Sequence, residues 1–116
     1  MTKLREGFVL RLRESLLEGI RRREAVLGQM LVQEAVKLDQ VRLMVLASDA
    51  GASTATKFRL NAERKGLPLV SPFTGSEMGQ LVGREFLSLI GIKNQGLALK
   101  IMEDQRRFRA LEDDGG

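Results

Sequence analysis

The residues of this sequence best suited to chemistry with a partner are its clustered cations. Arg21, Arg22 and Arg23 are consecutive, and Lys57, Arg59, Arg64 and Lys65 fall within one short segment. Side chains at such spacing can neutralise phosphates or another acidic partner. The same spacing also makes a solvated helix surface that binds nothing. With 19 basic and 15 acidic residues the formal net charge is +4 and the isoelectric point is near 10.0, a mild lean toward an acidic partner.

Catalytic chemistry has far less material. The sequence contains no His and no Cys, which removes the usual general base near neutral pH, the thiolate nucleophile and the commonest zinc ligands. Ser48 and Asp49 end an apolar segment, where open α/β sheets commonly bind ligands, yet a hydroxyl beside one carboxylate is more simply a turn cap. Glu103–Asp104 and Asp113–Asp114 are sequence neighbours whose side chains diverge, so neither pair makes an acid/base dyad. Gly91 and Gly96 are spaced as in a phosphate-binding loop, but Leu97 and Ala98 stand where Lys and Ser/Thr would be required. The expectation is a protein that is not an enzyme and uses no metal and no cofactor. With neither Trp nor Tyr and only five Phe, single-strand binding by base stacking is also disfavoured.

The elements that must position the cations follow from periodicity. From Lys3 to about Arg22, Leu4, Phe8, Val9, Leu12, Leu16, Leu17 and Ile20 recur at steps of three and four, predicting an amphipathic helix weakened near its ends by Gly7 and Gly19. Glu24 to Leu27 reads as a short strand, and Gly28 as the turn into a helix over Gln29 to Leu38, with Met30, Leu31, Ala35 and Leu38 at helical spacing beside Val32 and Val36. Val41 to Ala47 is β-branched and apolar on both faces, the pattern of a buried central strand. A helix from Ala52 to Lys65 ends at Gly66, and Leu67 to Val70 is a brief strand. Thr74 and Glu77 form a capping-box signature for a helix from Gly75 to about Arg84, with Gly79 and Gly83 one turn apart for close packing. Phe86 to Ile92 reads as another apolar strand, Gly91 to Asn94 as a turn, and Gln95 to Leu111 as the last helix. Glu112 to Gly116 is expected to be a disordered tail.

At 116 residues, with a hydrophobic share of 43%, the chain suits one domain, and helices alternating with short strands predict a three-layer α/β/α sandwich around a small mixed sheet. The longest apolar run, Leu43 to Ala47, is far short of the ~20 residues of a membrane span. Met1 to Glu6 is followed by alternating charge in place of the continuous apolar run of a signal peptide, and a cytoplasmic location is expected.

Read together, GQMLVQEAVKLDQVRLMVLASDA, from Gly28 to Ala50, resembles the kink-turn-binding ribosomal protein superfamily of the L-seven-Ae and L-thirty-e types. TGSEMGQLVGRE is similar to that superfamily's Leu-Gly-x-x-x-Gly helix, with Met78 in the Leu place, and KNQGLALKI to the opening of its last helix. The resemblance covers about Arg21 to Phe108 and is nearest to bacterial YlxQ-like members, or to similar domains joined to a YlxR-type domain. It implies a single ribosomal-protein-like, RNA-binding-type domain over residues 1–116, associated with translation or transcription. The family's Lys-Gly-x-Asn-Glu-x-x-Lys run is altered: Gly28 is kept, while Leu27, Met30, Leu31 and Glu34 replace its polar contacts.

Two functions follow as expectations. In the first, the chain binds structured RNA through a diverged basic surface, with Arg21, Arg22 and Arg23 on phosphates beside Gly28 and Gln29, Lys37 and Lys57 as further cations with Arg59 and Lys65, and Thr74 and Ser76 in a second RNA-facing loop. In the second, the domain has lost RNA binding and meets a protein partner through Leu27, Met30 and Leu31. A membrane partner is not expected.

Overall fold

Nine elements alternate through the computed structural model, which describes residues 2–115, and the side chains of residues 3–112. They are α1 (Thr2–Arg21), β1 (Ala25–Leu27), α2 (Gln29–Lys37), β2 (Leu43–Leu46), α3 (Ala52–Lys65), β3 (Leu69–Val70), α4 (Gly75–Gln80), β4 (Leu89–Ile92) and α5 (Gln95–Gly115). The four strands form one mixed sheet in the order β1-β4-β2-β3. β4 runs antiparallel to both β1 and β2, whereas β3 is parallel to β2.

Period-two alternation in β2 and β4 divides the interior into two cores. On one face Leu43 and Val45 of β2 and Ile90 and Ile92 of β4 pack with Leu12 and Leu16 of α1, Met78 of α4 and Leu97, Ala98 and Ile101 of α5. On the other, Met44, Leu46 and Leu89 pack with Val32, Ala35 and Val36 of α2 and Phe58 and Ala62 of α3. This is the expected three-layer α/β/α sandwich. Phe58 is fully buried, and burying a side chain of its size contributes about 1.5–3 kcal/mol.

Several boundaries and faces differ from the periodicity reading. In α2 the buried stripe is Val32, Ala35 and Val36, which leaves Met30, Leu31 and Leu38 exposed. Leu4 likewise stands out of the α1 stripe, exposed to solvent. The helix expected to reach Arg84 stops at Gln80, because the chain folds back over Gly79 so tightly that a Cβ there would meet the Arg84 carbonyl at 2.5 Å. Gly83 therefore lies in the return loop at a φ of +71° and serves no helix packing. Gly91 is a strand residue and not a turn: it sits in β4 against Val32 and Val41, and Asn94 instead caps α5, its Oδ1 accepting from Leu97 N at 2.8 Å. The expected tail is helical as far as Gly115, with Glu112 bridged to Arg5 of α1 at 2.9 Å; Gly116 lies outside the described residues. Gly19, expected only to weaken α1, is buried where a Cβ would press on Leu97 of α5 at 2.9 Å.

Candidate nucleic-acid interface

Strand directions bring three helix starts to one edge of the sheet. β1, β2 and β3 all end there and lead into α2, α3 and α4, while β4 begins there. The first turn of a helix carries backbone N–H groups without intrahelical partners and a partial positive charge, which together suit a phosphate. In α2 and α3 no side chain takes up those donors, since their N-caps are Gly28 and Gly51. Of these three starts, that of α4 is capped: Thr74 Oγ1 accepts from Glu77 N at 3.1 Å, and the Glu77 carboxylate accepts from Thr74 N at 2.9 Å.

Hydrogen bonds hold the loops of this edge in register. Gly28 N donates to Leu89 O at 2.9 Å, and Leu87 N to Gly75 O at 2.9 Å, so the starts of α2 and α4 flank the start of β4. The Gln29 amide donates to Ser88 Oγ at 3.2 Å and to Thr54 Oγ1 at 3.4 Å, linking α2, β4 and α3. Asp49, which reads in sequence as a turn cap, accepts from Gly75 N at 2.8 Å and ties the β2–α3 loop to α4. Phe86 lies with its ring over Gly75, where a Cβ would clash with it, and remains 50% exposed.

Of the sequence-predicted residues, Gly28, Gln29, Thr74 and Ser76 therefore come together, with Ser76 exposed in the first turn of α4. Lys57 is exposed in the second turn of α3, its Nζ 5.3 Å from the centre of the Phe58 ring. Arg21, Arg22 and Arg23 do not join them. They precede β1 at the far end of the sheet, where Glu24 O accepts from Lys93 N at 2.8 Å and Ile92 O accepts from Arg42 N at 2.7 Å. A three-residue strand spans about 10 Å, and β1 places that length between Arg23 and Gly28. Arg22 is bridged to Glu18 at 2.7 Å. Lys37 closes α2 at the same far end, near which Lys65 is bridged to Asp39 at 3.2 Å. The Arg21–Arg23 run and Lys37 are thus separate from the helix-start edge, to which Lys57 lies closer.

Phe86, Ser88, Thr54 and Arg84 belong to the edge or its loops and were missed in the sequence, where Phe86 reads as the buried first residue of a strand. The one signal for them is the charged pair Arg84-Glu85 immediately before it, which suits a loop better than a buried strand. Leu27, Met30 and Leu31 also separate: Leu27 packs into the core, whereas Met30 is 86% and Leu31 62% exposed.

No family model matches this sequence, and no curated protein matches it. Solved structures do. The chain is similar to a protein of unknown function from Bacillus halodurans C, with 26% identity, a TM-score of 0.77, and coverage of 82% of this chain and 96% of that one. It is also similar to the 15.5kD RNA binding protein of Giardia lamblia, with 20% identity, a TM-score of 0.71, and coverage of 90% of each chain. The likeness is one of fold.

Proposed function

We propose that this protein binds structured RNA at the helix-start edge and carries out no reaction on it, acting in the cytoplasm in translation or transcription as a ribosomal-protein-like domain of the YlxQ type. The observation that supports this most directly is the pair of uncapped helix starts at Gly28 and Gly51, side by side in a fold shared with an RNA binding protein. In this reading a backbone phosphate takes up the free N–H groups of α2. An unstacked base lies against the exposed face of Phe86. The hydroxyls of Thr54 and Ser76 and the amide of Gln29 supply polar contacts around it. Arg21, Arg22, Arg23 and Lys37, at the far end, raise the encounter rate and general affinity without reading the RNA.

Fluorescence-anisotropy titrations with labelled kink-turn RNA, a plain duplex and a single strand, at about 50 and 200 mM salt, test this. The expected result is a preference for the kink-turn that survives higher salt, falls about tenfold in Phe86→Ala, and survives replacement of Arg21, Arg22 and Arg23 by Gln. Equal, salt-sensitive binding to all three RNAs, unchanged in Phe86→Ala, would refute it, as would no binding at either salt.

The exposure of Met30 and Leu31 favours a second reading, a protein partner at the start of α2. It expects a complex or a dimer in light scattering that Leu31→Lys disrupts.

A further inference from the structure

A second feature lies over the open side of β3, the edge strand that pairs only with β2. There a cleft of about 400 Å³ is formed between α1, α3 and α5, lined by Arg5, Arg59, Ser71, Gln105, Arg109 and Glu112. Three guanidinium groups face one carboxylate. Glu112 is already engaged by Arg5 at 2.9 Å, and Arg59 and Arg109 make no ion pair among the described residues. A concavity with an excess of one sign of charge concentrates counter-ions, and guanidinium forks match phosphate oxygens.

A second and independent observation comes from the cleft's polar side chains. Gln105 is only 8% exposed, yet its Oε1 has no hydrogen-bond partner, and the buried Ser71 Oγ has none either. Buried polar groups in native proteins are nearly always bonded, and an unmet acceptor beside an unmet hydroxyl suits a ligand that carries both a hydroxyl and an anionic group. Arginines over an edge strand also deter pairing with another chain. That role accounts for the charge but not for the unpartnered amide and hydroxyl. Phe108 and Pro72 add an apolar wall, and the volume is that of a small-ligand pocket.

We infer that this cleft is a binding site for a nucleotide, with Arg59 and Arg109 on its phosphate oxygens, the Ser71 hydroxyl donating to the same group and the Gln105 Oε1 accepting from a sugar hydroxyl. The inference goes beyond RNA binding at the helix-start edge and holds whether or not that edge binds RNA. The phosphate has two sources with shared chemistry, a free mononucleotide or one nucleotide of a strand.

Titration of the full chain, followed by nitrogen-15 NMR, with adenosine monophosphate, the diadenosine dinucleotide lacking a terminal phosphate, and adenosine distinguishes them. Expected are shifts at Ser71, Gln105 and the Arg59 and Arg109 side chains, with adenosine about tenfold weaker or worse. Binding of the monophosphate alone assigns the cleft to a free mononucleotide, and equal binding of the dinucleotide assigns it to a strand. Arg59→Gln with Arg109→Gln, both exposed positions, is expected to keep the fold and lose about tenfold or more in affinity. Replacing Arg21, Arg22 and Arg23 by Gln removes more charge, yet is expected to leave this binding within about twofold, because loss of distant surface charge is screened. The inference is overturned if the monophosphate and the dinucleotide bind no better than adenosine, if the double variant binds as well as the parent, or if the Arg21–Arg23 variant loses as much. RNA titrations read the helix-start edge through Phe86→Ala, so failure of one site is distinguishable from failure of the other.

Discussion

Replacing Gly28 by Ala isolates the backbone conformation that starts α2. Gly28 holds φ +91° and ψ 160°, a region that residues with a Cβ essentially do not occupy. Nothing lies within 4 Å of a Cβ built there, so steric contact contributes no part of the cost. Gly51 is the matched control: it too is an N-cap without a side-chain bond and has open space at its Cβ, but its φ of −56° and ψ of 150° suit any residue. Both changes lose the same N-cap preference and both stiffen the unfolded chain, effects of similar size and opposite sign. Their difference is therefore the strain alone, about 1–3 kcal/mol. With an unfolding entropy of roughly 2.1 cal/mol/K per residue, a chain of 116 residues changes its Tm by about 4 °C per kcal/mol. Gly28→Ala is then expected to melt about 4–12 °C below Gly51→Ala, by circular dichroism or calorimetry. Equal melting temperatures for the two variants would refute the claim that this backbone sets the α2 start.

Two further outcomes follow from contacts away from Gly28. Asp49→Ala removes the acceptor of the Gly75 N–H, a bond to a charged group in a half-buried setting, and is expected to cost about 1.5–3 kcal/mol in urea unfolding and to loosen amide protection at Gly75 and Ser76; unchanged protection would count against Asp49 as the tie between the loops. The carboxyl of Glu103 on α5 lies below its ordinary range, chiefly through its hydrogen bond from Arg106 at 2.7 Å, with Arg107 adding to it. A lowered folded pKa means that this local stabilisation is present above the unfolded value and is lost as pH falls through the folded one. An NMR titration is expected to show the Glu103 midpoint rising toward the ordinary carboxylate value in Arg106→Gln and in high salt, and a midpoint unmoved by either contradicts the pairing.

What was legible in the sequence was written in local signals. The bounds of α3, its stop at Gly66 and the Thr74–Glu77 capping box depend on residues three or four apart, and they stand where the residues indicate. β2 announced itself because both of its faces are buried. Direction was harder to read. Arg23 and Gly28 are five positions apart in the chain but at opposite ends of the sheet, since an intervening strand, however short, runs the full depth of the layer. The end of α4 depends on how closely the Arg84–Phe86 segment crosses Gly79, a tertiary contact with no local mark. In α2 two apolar stripes competed, and the position of the sheet selected Val32, Ala35 and Val36. The cleft over β3 draws Arg5, Arg59 and Arg109 from three distant segments and left no trace in any one of them.

The strand order also bears on the chain as it is synthesised. β1 has no neighbour in the sheet except β4, and the Leu12–Leu16 stripe of α1 is covered by Leu97, Ala98 and Ile101 of α5, roughly 85 residues later in the chain. At ribosomal speed that is an interval on the order of ten seconds. During it β2, α3 and β3 can assemble from contacts close in sequence, while α1, though made before them, has no finished surface on which to dock. The nascent chain thus carries α1 as a bare amphipathic helix until α5 emerges, and a transcript truncated before β4 would leave that helix permanently unburied and open to chaperones and proteases.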